Sequence, residues 1–148
     1  MLIQSRTVLG GALLAATLAF TGCGMMGMSK TSSVTVPMSA SQEVPPNPSG
    51  ATGSAVVTLN KETRLLSWNV TYSGTTGPVG AGHFHGPAAA GANAGVVVPF
   101  PGPTTSPISG SATITEAQMA DLVAGKWYVN LHTAAHPGGE LRGQVTGL

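Results

Sequence analysis

The chain has 148 residues, room for one domain and a targeting segment but not for two cores. Only 7% of residues are charged and 42% are apolar, with 21 Gly and 11 Pro, a balance that fits a turn-rich β domain better than disorder. The formal charge is +1, and without residues 1–22, which include Arg6, five Lys/Arg face five Asp/Glu; a neutral domain has no electrostatic footprint for nucleic acid.

At the N-terminus, Arg6 precedes an apolar run from Val8 to Phe20. That run is short for a membrane helix of about 20 residues, and small residues follow it, as in a cleavable signal peptide over residues 1–22. The single cysteine, Cys23, comes next and has no disulfide partner. It is either an incidental thiol or a modification site. Leu18-Ala19-Phe20-Thr21-Gly22-Cys23 resembles a bacterial lipobox, with Phe20 where Leu is usual. The resemblance implies export, a lipid on Cys23 as membrane anchor, and a place in the periplasm or at the cell surface. By resemblance to lipoproteins of enteric type, Gly24 in place of Asp implies the outer membrane before the inner. Residues 23–33 then form a lipidated flexible tether, and residues 34–148 the domain. Met25, Met26 and Met28 are either plain tether or a soft relay for Cu(I).

Val34–Met38 alternates as a half-buried strand does, and Pro37 predicts an edge position for it. Glu43–Pro48, with three prolines, reads as a loop. Gly53–Leu59 and Arg64–Tyr72 form a predicted hairpin, with Leu66, Trp68, Val70 and Tyr72 on one face. A His-Phe-His segment follows at residues 83–85, then strands at Val96–Phe100 and Ile108–Ile114. Thr115-Glu116-Ala117-Gln118 is a capping-box pattern and opens the one predicted helix, about three turns long and closed by Gly125. Lys126–His132 alternates with Trp127, Val129 and Leu131 inward, and Glu140–Val145 returns after a turn at His136–Gly139. Seven or eight short strands with one short helix predict an all-β sandwich or barrel.

The four histidines lie in two segments. His83 and His85 are two apart and share one strand face; His132 ends a strand, and His136 sits in the following turn. An all-imidazole set without thiolate suits Cu(II) or Zn(II). The competing reading is that these side chains cap loop carbonyls or bond to Glu140, the acid nearest either segment in sequence. Trp68 and Trp127 read as core, and Tyr128 and Asn130 as either surface or neighbours of His132. A hydrolytic triad would need Asp121, which the predicted helix carries away from the histidines.

Ala81-Gly82-His83-Phe84-His85-Gly86-Pro87-Ala88, Trp127–Thr133 and Pro137–Gln144 together resemble the CHRD (chordin) domain, as do Ser41–Pro46 and Leu66-Ser67-Trp68. The likeness spans about Val34 to Leu148. It implies a Greek-key or immunoglobulin-like β-sandwich, and histidines at the positions of His83, His85 and His132, with His136 less regular. The set is also similar to that of copper-only superoxide dismutases. That similarity implies copper on His83, His85, His132 and His136, superoxide as a small anionic substrate, and Arg142 as the catalytic residue that steers it. Glu140 would orient a ligand imidazole. The alternative is a non-catalytic envelope interaction module with structural histidines and a protein partner of unknown kind.

Overall fold

A computed structural model describes residues 30–148. The expected signal segment, Cys23, the methionine cluster and most of the tether lie outside the described residues. The elements in chain order are β1 (Thr31–Ser39), a single 3-10 turn (Ala40–Gln42), β2 (Thr52–Asn60), β3 (Leu65–Ser73), β4 (Val79–His85), β5 (Val96–Pro99), β6 (Ile108–Thr113), α1 (Glu116–Val123), β7 (Trp127–Thr133) and β8 (Leu141–Val145). The strands form one eight-stranded antiparallel sheet in the order β5-β4-β7-β8-β1-β2-β3-β6, curled into a nearly closed barrel. The expected all-β barrel or sandwich with one short helix is the architecture found.

Period-two alternation puts Ala55, Val57, Leu59, Leu66, Trp68, Val70, Phe84, Trp127, Val129 and Leu131 inside, all nearly or fully buried. At the centre, Trp68 meets Phe84 edge-on at 5.3 Å and stacks on Phe100 at 4.9 Å. Such aromatic pairs contribute roughly 0.5–1.5 kcal/mol each beyond their buried area. Between β5 and β6 the chain crosses the gap in the barrel, where the Tyr72 hydroxyl donates to Thr104 O at 2.6 Å.

Three local expectations change. β1 begins at Thr31, inside the segment expected to be tether, because its register with β2 extends to Thr31↔Asn60. It is also an interior strand, between β8 and β2. Pro37 is tolerated there because the β1–β8 ladder is reduced to one register pair, Ser39↔Arg142, so its missing N–H interrupts nothing. Helix α1 is eight residues, about two turns rather than three. Its capping box forms as expected: Thr115 Oγ1 accepts from Gln118 N, and Thr115 N donates to Gln118 Oε1.

Candidate metal centre

The site is built on the outer face of β4, β7 and β8. β4 pairs with β7 so that His83 faces Asn130, His85 faces Tyr128 and Ala81 faces His132. All six outward positions therefore share one surface, and His132 lies diagonally across from His83. The three imidazoles of His83, His85 and His132 converge, each offering one ligand atom within 4.8 Å of the others. Ring centroids are 5.4 Å apart for His83–His85, 5.0 Å for His83–His132 and 5.9 Å for His85–His132.

Hydrogen bonds assign the tautomers. His85 Nδ1 lies 3.0 Å from Ala94 O and His132 Nδ1 lies 3.0 Å from Pro137 O. A carbonyl only accepts, so both Nδ1 atoms carry the proton and both Nε2 atoms present lone pairs. His85 Nε2 is buried and has no partner. His132 Nε2 receives its hydrogen bond from His83 Nδ1 at 3.2 Å. Burial lowers the pKa of all three rings; for His83 and His132 neighbouring imidazoles add to the effect, and for His85 Arg142 does. The backbone bonds to Ala94 and Pro137 oppose the shift without cancelling it. The group is thus held as neutral imidazoles, the form that coordinates a cation. Beside His83 and His132 a cavity of about 570 Å³ opens, walled by Pro78, Ala81, Ala134 and Pro137, and none of its lining residues is Asp, Glu, Lys or Arg.

Other candidate residues land elsewhere. His136 stands outside the group: the turn after β7 ties its backbone to Thr133 and Gly139, and it lines a separate cavity shared with Glu43 and Pro45. Arg142 is 1% exposed. Its guanidinium lies 3.5 Å over the Tyr128 ring and donates to Asn93 Oδ1 and Ala92 O. Tyr128 stacks in turn on His85 at 4.9 Å with planes 4° apart. Tyr128, on the central strand of the three, stands between Arg142 and His85, so the guanidinium packs on the Tyr128 ring and not beside an imidazole. Glu140 does not orient an imidazole either. Fully buried, it accepts from Ser49 Oγ (2.6 Å), Thr133 Oγ1 (2.6 Å), and Thr76 N and Oγ1 (both 2.8 Å). Burial alone would raise its pKa, but these four donors outweigh it and hold the carboxyl at about 2. Asp121, at 3.3 Å from Lys126 Nζ, is paired there and is no part of the histidine group.

Sequence reasoning missed Glu43. It is 6% exposed and receives a hydrogen bond from Asn130 Nδ2, 87 positions away in the chain. Burial raises its pKa to about 7, although the Asn130 bond and the Arg142 charge pull the other way. Its only sequence signal was membership of the Ser41–Pro46 motif. Tyr128 and Asn130, read as possible surface, are 3% and 2% exposed because the loops 40–51 and 86–95 cover them. Asn93 Nδ2 ties the two loops together by donating to Val44 O at 2.8 Å.

Comparison with known proteins gives one family: the CHRD domain, whose family model matches residues 34–145. No curated protein and no solved structure matches the chain.

Proposed function

The chain belongs to the CHRD domain family, and from that premise we propose that it is an exported, lipid-anchored copper protein with His83, His85 and His132 as ligands. One observation carries the metal reading: three neutral imidazoles meet within 4.8 Å, and one of their nitrogens, His85 Nε2, is buried with nothing to bond. A buried acceptor without a donor costs roughly 1–3 kcal/mol, which a bound cation removes. The remaining ring nitrogens of His85 and His132 are fixed by backbone carbonyls, the arrangement that orients metal-bound histidines. Three nitrogen donors without thiolate or carboxylate favour copper over calcium or magnesium, and over a cysteine-type zinc site. Bound copper supplies one-electron redox chemistry, and dismutation of superoxide is the reaction that such a centre fits. The export and anchoring parts of the proposal rest on Leu18–Cys23.

Cu(II) added to the metal-free chain is expected to give a type-2 EPR spectrum with hyperfine splitting from several nitrogens. The spectrum should be lost in His83→Ala and unchanged in His136→Ala. A signal that depends on His136 and ignores His83 would overturn the ligand set, and no stoichiometric copper would overturn the metal reading.

A second reading is favoured by the bonds from His85 to Ala94 O and from His132 to Pro137 O, which pin the loops around the site. In that case the histidines are struts in an interaction module. His85→Ala would then lower the melting temperature equally with and without copper.

A further inference from the structure

A second cavity, of about 420 Å³, lies on the same face beyond Tyr128, between the loops 40–51 and 86–95 and strand β8. It is at the small end of the range for sites that hold small molecules. A buried acid and a buried base line it, Glu43 at 6% and Arg142 at 1% exposure. Among the described residues no ion pair within 4.0 Å joins them. Arg142 spends Nη1 and Nη2 on neutral acceptors of the 86–95 loop, and Glu43 receives only the amide of Asn130. Charges buried without direct ionic partners are costly, and a ligand that carries both complements recovers that cost.

Gln144 lines the cavity as well. Its Nε2 donates to Ala88 O (3.1 Å) and Gly125 O (2.8 Å), which holds the side chain against the 86–95 loop. A ligand that complements this cavity brings an N–H donor to Glu43 and an anionic acceptor to Arg142. Val44, Pro46 and Ala90 leave an apolar wall for a small side chain.

We infer that this cavity binds a free α-amino acid as its zwitterion, with the ammonium on Glu43 and the carboxylate on Arg142. An acetate-like anion satisfies only Arg142, and an amine satisfies only Glu43. Both charges on one carbon are what separates this class from either half.

The test is calorimetric titration of the full chain, stripped of metal with chelator, with glycine, L-alanine, L-valine and L-leucine. Stripping matters because amino acids chelate copper and would otherwise report on the histidine site. At least one of them is expected to bind saturably, with L-alaninamide and propionate weaker by about tenfold or more, or about 1.4 kcal/mol. Glu43→Gln should lose the same factor. Ala90→Trp fills the cavity from an exposed position and should abolish binding with the melting temperature kept. Binding should persist in His83→Ala, which separates this site from the metal centre. Absence of saturable binding by all of the amino acids, equal binding of propionate or alaninamide, or unchanged binding in Ala90→Trp would overturn the inference.

Discussion

Glu140→Gln is expected to cost the fold about 2–3 kcal/mol at neutral pH, and the cost should shrink as the solution is acidified. The carboxylate is the hub between three segments: Ser49 from the loop before β2, Thr76 from the β3–β4 connection and Thr133 at the end of β7. All four donors aim at negative oxygen. A carboxyl at about 2 in the fold and 4.5 when free gains about 3 kcal/mol from folding at pH 7. A folded pKa below the unfolded one means that this stability is complete above 4.5 and is lost as pH falls through about 2. Glutamine keeps the shape and one acceptor, yet turns an NH2 group toward hydroxyls that were donating. Urea unfolding of both chains between pH 7 and about 3 measures the difference. A cost that does not change with pH would show that shape, and not charge, is what Glu140 supplies.

The second large effect is stabilisation by copper. Saturating Cu(II) at about a thousandfold above its dissociation constant should add roughly 4 kcal/mol, because the metal binds the folded site and not an assembled one in the unfolded chain. For a domain of this size that is on the order of 10 °C in melting temperature. His132→Ala should remove most of it. His132 both offers Nε2 and accepts the His83 hydrogen bond, so its loss leaves two ligands and a freed His83 ring. Acid should erase the effect, since protons compete for the same nitrogens. The metal-free fold has its own trend: the three ring pKa values are lowered from 6.5, so the unfolded chain takes up protons first and stability declines as pH falls below 6.5. Glu43 works in the opposite direction. Raised from 4.5 to about 7, its contribution is complete below 4.5 and is lost as pH rises through about 7. A melting temperature indifferent to Cu(II) in the unsubstituted chain would refute the prediction and leave the histidines as loop struts.

The strands, their faces and the helix start were legible in the order of the residues. Alternation in Leu66–Tyr72 and Trp127–His132 reads directly as inside and outside, because side chains on a pleated strand repeat every two residues. Thr115 and Gln118 specify their capping box within four residues of chain. His83 and His85 share a face for the same local reason. Which histidines meet came from the folded arrangement alone. The β4–β7 register sets His132 diagonally across from His83, and the turn after β7 leaves His136 outside the group. It also withdrew Arg142 behind Tyr128, committed Glu140 to Ser49, Thr76 and Thr133, and delivered Glu43 to Asn130 from 87 positions away. Periodicity is a property of a few consecutive residues. Register, loop cover and the pairing of buried charges arise between segments far apart in the chain, where no local pattern records them.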